Sequence, residues 1–185
     1  MENYVVKDLM VPLSEYATVR EGSTLFEAVE ALEKAQEEYD HSQYRHRAVL
    51  VMNARGLVIG KLSHLDALRA LEPIADEANG ITGLAEFGFS AKFVRKLSLK
   101  QRLGAESLET LCRRGRDLKV EACMQATVEG ECIDEETSLD IAIHQLVFGN
   151  HLSLLAMRDG SIVGILRLSD VFAAVFHYIR SSITQ

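Results

Sequence analysis

The sequence predicts an α/β (α+β) fold in which two pseudo-symmetric β-α-β-β-α repeats pack as one module, with a helical insert between them. Three observations carry that expectation. A block near the start of the chain returns 114 residues later, and a second block returns after 104. Inside each copy, apolar residues fall first at helical spacing and then in short strand-like runs bounded by turn residues. The stretch 73–119 repeats neither block and differs from both in charge.

The elements follow in order. VKDLM (6–10) aligns with VEACM (120–124), and VREGSTLFEAVEAL (19–32) aligns with IDEETSLDIAIHQL (133–146). Val19 and Ile133 lie on the first strands. Ser23 with Thr24, and Thr137 with Ser138, supply the hydroxyls that start a helix. The apolar positions 25, 28, 29 and 32, and their partners 139, 142, 143 and 146, form one stripe on that helix. AVLVM and GLVIGKL, separated at NARG, read as an antiparallel hairpin, and LSLLAM and SIVGIL, separated by RDG, as its counterpart. Leu50 matches Leu154, Gly56 matches Gly160, Gly60 matches Gly164, Leu62 matches Leu166 and Asp66 matches Asp170. A last helix follows each aspartate, DALRAL or DVFAAVFHYI. The division is therefore 1–72 for the first repeat, 73–119 for the insert and 120–185 for the second repeat. Each copy has about 60 residues, a size at which burial is marginal, so packing the two together is the expected solution.

The change of offset leaves ten extra residues in the first copy, within EKAQEEYDHSQYRHR. That stretch reads as a solvated helix extension, or as a flap in which Arg45 or Arg47 closes on phosphates. His41 and His46 lack the cysteines or paired acids of a metal site. In the insert, Pro73 closes the first copy and NGITG is loop chemistry. AEFGFSAKFVRKLSLKQRL and SLETLCRRGRDL read as two short helices, with Phe87, Phe93, Val94, Leu97, Leu108 and Leu111 as apolar candidates.

The bulk properties narrow the function classes. With 185 residues and 48% hydrophobic content the chain has enough for a packed core, and no apolar run reaches the roughly 20 residues a membrane span needs. MENYVVKDLM carries Glu2 and Asp8 in place of a basic leader, which points to the cytoplasm. Cys112, Cys123 and Cys132 are odd in number and lack C-x-x-C spacing, so they read as reduced thiols. The net charge is −7, but Lys92–Lys119 holds nine basic residues against three acids. That basic segment makes nucleic acid or an acidic protein the alternative partner, with the repeats as a dimeric scaffold. No P-loop, G-x-G-x-x-G or H-E-x-x-H is present, and no cysteine sits in a nucleophile motif, so the chain reads as a non-enzyme.

The most telling pair of segments is VIGKLSHLD (58–66) and IVGILRLSD (162–170). Together with DLM and ACM at the opening of each copy, the matched helix segments and the two hairpins, the G-x-x-[ST]-x-x-D pattern at Gly60, Ser63 and Asp66 resembles a tandem pair of cystathionine-β-synthase (CBS) domains. The resemblance spans roughly 125 of the 185 residues and leaves out the insert. It implies a disc-like module with two clefts between the copies, usually dimeric. It also implies an adenine nucleotide or adenosyl derivative (AMP, ADP, ATP or S-adenosylmethionine) as ligand and a regulatory role towards another protein, while the residues themselves give no reason to expect a metal.

The repeated turn has its own physical reading. A carboxylate such as Asp66 can accept from both hydroxyls of a ribose, and such charge-assisted bonds are the stronger kind. A helix beginning near Leu65 places free N–H groups beside Ser63, where a phosphate is favoured, and Lys61, His64 and Arg69 add positive charge. The same S-x-x-D also spells a capping box, and the two roles can coexist. Gly60 either admits a ligand or marks a bulge. In the second copy Arg167 replaces the serine, so that it either grips a phosphate bidentately or fills the cleft, while Asp170 keeps the ribose option. For the base, the resemblance implies walls from Ala17, Thr18, Val19, Val49 and Leu50, each of which also fits a core position.

Overall fold

The computed structural model describes residues 4–37, 47–71 and 107–183, with side chains to 180. In chain order its elements are β1 (Val11–Pro12), β2 (Thr18–Arg20), α1 (Leu25–Glu37), β3 (Ala48–Met52), β4 (Val58–Ser63) and α2 (His64–Leu71). After the insert come α3 (Leu108–Gly115), β5 (Gln125–Ala126), β6 (Cys132–Asp134), α4 (Leu139–Phe148), β7 (Ser153–Arg158), β8 (Ser161–Arg167) and α5 (Leu168–Ile183). Short 3-10 turns precede β1, β2, β5 and β6.

The first helix of each copy, α1 and α4, starts where the hydroxyl residues predict. Glu27 N–H donates to Thr24 Oγ1 at 3.2 Å while Thr24 N–H donates to Glu27 Oε2 at 2.6 Å, a reciprocal cap. Leu25, Ala28 and Leu32 are buried along α1, and Leu139, Ala142 and Leu146 along α4 with Ile143 partly buried. Val29 is exposed, which corrects its place in the expected stripe, because it lies at the edge of the face that meets the sheet. Both hairpins form. In the first, Asn53 Oδ1 accepts from the N–H groups of Arg55 and Leu57, and Gly56 sits at φ 74°. In the second, Asp159 and Gly160 take φ 48° and 75°, the left-handed pair that a two-residue hairpin turn requires.

There are two four-stranded sheets, β2-β3-β4-β5 and β1-β8-β7-β6. Within each, the first strand pairs in parallel with the first hairpin strand (Val19 opposite Val51, Ile133 opposite Ala156), and the helix between them makes the crossover. The edge strands come from the other copy: β5 pairs with β4 and β1 with β8. The opening segments follow the same exchange. Val6 N–H donates to Thr137 O and Leu139 N–H to Tyr4 O, while Val120 N–H donates to Ser23 O and Leu25 N–H to Leu118 O. Accordingly Val6 is buried in the core of Leu139, Ala142, Leu146, Leu154 and Leu166, and Val120 in the core of Leu25, Ala28, Leu32, Val49 and Leu62. A third cluster, Val11, Tyr16, Leu50, Leu155 and Ile165, joins the two sheets. Each core thus needs both halves of the sequence.

Of the insert, the described part is α3 and its flanks. Ser107 caps α3 by accepting from Thr110 N–H at 3.3 Å. Leu118 packs on the first core, whereas Leu108 is exposed, which corrects the expectation that it is an apolar contact. An eight-residue helix has only two turns, and at its end Gly115 lies close against Leu71 on α2. Pro73, the NGITG loop, Phe87, Phe93, Val94, Leu97, His41, Tyr44, Arg45 and His46 lie outside the described residues.

Candidate functional site

Ser63 ends β4 and Asp66 lies in the first turn of α2, so the strand-to-helix turn brings them together. Asp66 Oδ2 accepts from Ser63 N–H at 2.9 Å and from Ser63 Oγ at 2.5 Å, and Asp66 N–H donates back to Ser63 Oγ at 3.2 Å. The capping box is therefore formed. The other carboxylate oxygen, Oδ1, accepts from Gln125 Nε2 at 2.7 Å and from Arg69 Nη1 at 3.3 Å. Asp66 is only 4% exposed. Burial alone pushes its carboxyl up, but the bonds from Ser63 and Gln125, with the Arg69 charge, outweigh it and hold the group below its ordinary value. At neutral pH the turn presents a fully solvated-by-protein anion.

The other predicted residues divide. Gly60 lies opposite Val51 beside a register shift in the β3–β4 ladder, and an added Cβ there would stand 2.7 Å from Gln125 O and 2.7 Å from Met124 Sδ. Gly164 repeats this against Val11 O at 2.7 Å and Met10 Sδ at 2.8 Å. Both glycines therefore admit the edge strand of the opposite copy, with a bulge alongside. Lys61 turns away from the Ser63 turn: its Nζ pairs with Glu131 Oε1 at 2.8 Å, both side chains nearly buried, and His151 Nδ1 lies 3.6 Å from the same oxygen. His64 is exposed, and its N–H donates to Arg47 O at 3.3 Å. Of the five wall residues, Ala17, Val19 and Val49 pack in the first core, Leu50 in the cluster between sheets, and Thr18 is exposed.

The second turn is built differently. Arg167, 6% exposed, donates from Nε to Asp170 Oδ2 at 2.5 Å and from Nη2 to Asp170 Oδ1 at 2.7 Å. A bidentate guanidinium thus grips the carboxylate that corresponds to Asp66.

Two residues outside the sequence-derived set complete the region. Gln125 and Glu131 come from the opposite copy, and a signal for both was available: they align with Val11 and Ala17, and Lys61 aligns with Ile165. Where the copies exchange an apolar residue for a polar one, the structure brings the polar ones into contact. Among the described residues no cluster of three or more His, Cys, Asp or Glu is placed to hold a metal, and no helix is long and apolar enough to cross a membrane. The three cysteines are free thiols, and burial pushes Cys123 and Cys132 up.

Comparison with known proteins agrees with this geometry. Residues 6–73 match the family model described as CBS domain. No match was found among curated protein sequences. Similar solved structures include a CBS domain-containing protein of unknown function from Bacillus anthracis, with 19% identity, TM-score 0.63 and 95% of each chain covered. CBSX2 in complex with AMP has 17% identity and TM-score 0.59, over 95% of this chain and 98% of that one. The CBS domain of a membrane protein from Sphaerobacter thermophilus has 22% identity and TM-score 0.60, over 94% and 88%.

Proposed function

We propose, from the match of residues 6–73 to the CBS domain family model and the likeness of fold to solved CBS-domain structures, that the protein is a regulatory module that binds an adenine nucleotide or adenosyl derivative at the Ser63–Asp66 turn and controls a separate partner. The observation that carries this reading is the difference between the two turns. Asp66 is ionised, buried and satisfied by neutral groups and one loosely placed arginine, so hydroxyl donors of a ribose can exchange with its present partners. Asp170 is clamped by a nearly buried guanidinium, and exchange there would strand a charge. The AMP held by one protein of the same fold supports the ligand class. Ser63 and the start of α2 serve the phosphate, and the base lies against Thr18 and Val19, since Val49 and Leu50 are fully buried and Ala17 nearly so.

The module is proposed to act as a homodimer. α4 and α5 leave Ile141, Val147, Phe148, Phe172, Phe176 and Ile179 more than half exposed, and α2 adds Leu65 and Leu68. A surface of that kind is normally covered. The alternative role for the basic insert has weaker support, because Arg113 on α3 pairs with Glu109 at 2.8 Å and Arg116, just past its end, with Asp117 at 3.3 Å.

Thermal unfolding with AMP, ADP, ATP and S-adenosylmethionine tests the reading, with Asp66→Ala and Asp170→Ala beside the unaltered protein. A ligand at about 100 times its Kd adds about 2.7 kcal/mol, which raises the melting temperature by about 5–10 °C. The rise is expected in the unaltered protein and in Asp170→Ala, and not in Asp66→Ala. Equal rises in all three, or none with any ligand, would overturn it.

A further inference from the structure

We propose that Gln125 is the gate of the Ser63–Asp66 site, its carboxamide holding on Asp66 the place that a ligand hydroxyl takes when it binds. The proposal rests on the nucleotide reading above and adds how the site is kept closed and to what it is coupled.

Three observations lead to it. Asp66 has no accessible lone pair to offer: Oδ2 is used by Ser63 within its own turn, and Oδ1 is met by Gln125 Nε2 at 2.7 Å and Arg69 Nη1 at 3.3 Å. The Ser63 bonds are part of the helix cap and are expensive to give up. The Gln125 bond is not, because Gln125 is an exposed residue whose amide can turn into water, and a hydroxyl can replace it on Oδ1 without any change of charge.

The second observation is where Gln125 stands. It lies on β5, the edge strand that belongs to the second copy in sequence and to the first copy's sheet in space, opposite Lys61 in the ladder. Releasing its side chain removes one of the links between the copies, while the backbone pairing at Gly60 and Ala126 remains. Occupancy of the turn is thereby felt at the junction of the two repeats. Lys61, the ladder partner of Gln125, is itself tied to Glu131 of the second copy at 2.8 Å.

The third is that the second turn is built differently among the described residues. The residue aligned with Gln125 is Val11, which has no side-chain amide, and Asp170 accepts from Nε and Nη2 of Arg167 in the same turn. Among the described residues, a side chain from the opposite copy meets the aspartate at the first turn, through Gln125, and not at the second.

A gate lowers the apparent affinity by the fraction of molecules in which it is open. Gln125→Ala is therefore expected to bind more tightly, by about tenfold, while its ligand-free form becomes no more stable. Gln125→Lys replaces an exchangeable amide with a cation and is expected to bind at least about tenfold more weakly. Isothermal titration with AMP, ADP and ATP against the unaltered protein, both Gln125 variants and Asp66→Asn measures this, with urea unfolding of each without ligand. Opposite shifts for alanine and lysine support the gate. If Gln125→Ala binds like the unaltered protein or more weakly while Asp66→Asn loses binding, the gate is wrong and the nucleotide site stands. If no protein in the set binds any of the three, both readings fall.

Discussion

An alanine at Gly60 places a methyl group 2.7 Å from the Gln125 carbonyl oxygen, 2.7 Å from Met124 Sδ and 3.2 Å from Met124 Cγ. Ordinary contact begins near 3.4 Å, so the methyl is too close to all three atoms, most severely to the first two. The methionine can change rotamer. The carbonyl cannot, because it belongs to the strand that pairs Gln125 with Lys61 and Ala126 with Gly60. Overpacking of this kind costs about 1–3 kcal/mol, and a fixed backbone atom argues for the upper half of that range. For a chain of this size about 2–3 kcal/mol lowers the melting temperature by roughly 4–12 °C. Gly164→Ala, facing Val11 O and Met10 Sδ, is expected to cost a similar amount. Gly130→Ala is the control, since nothing lies within 4 Å of its added Cβ, and it should stay within about 0.5 kcal/mol. Calorimetry or far-ultraviolet melting of the three ligand-free variants is sufficient. If Gly60→Ala melts with the unaltered protein, the edge strand does not sit against Gly60, and the glycine is there for another reason.

Two further outcomes are expected. Lys61→Met leaves Glu131 nearly buried without its cation and should destabilise by about 3–5 kcal/mol in urea unfolding, whereas the double variant Lys61→Met, Glu131→Leu should recover most of the loss; equal losses in both would show that the pair is not formed. Asp66, held below the ordinary 3.8, contributes stability that is complete above that value and is lost as the pH falls through the folded-state value. Urea midpoints between pH 6 and pH 2 should therefore fall more steeply for the unaltered protein than for Asp66→Asn, and parallel curves would remove the carboxylate from the account.

Much of the architecture is legible because it is written locally. The stripe at 25, 28 and 32, the hydroxyls before it, and the Asp159–Gly160 turn each specify an element within a few residues, and the internal repeat says that every element occurs twice. The exchange of opening segments is not legible in that way. Val6 and Val120 are plainly apolar, but nothing near Val6 says that its core is formed around Leu139, more than 130 residues away.

The same boundary runs through the candidate site. The Ser63–Asp66 turn and its weaker second copy are visible in the residues, and so is the ambiguity between a helix cap and a ligand seat. The structure forms the cap, and it also shows that Lys61 serves Glu131 and not the turn. Gln125 and Glu131 escaped a reading that followed the motif, although comparison of the two copies residue by residue marks them as polar replacements for Val11 and Ala17.

The sequence by itself determined the repeat, the order of elements within it and the paired turns, because apolar period, caps and turn residues act over one or two turns of chain. Only the tertiary structure decided that each sheet borrows its edge from the other half and that Asp66 is met by Gln125 while Asp170 is met by Arg167. Those choices depend on how two surfaces dock, and a surface made from distant segments has no period along the chain.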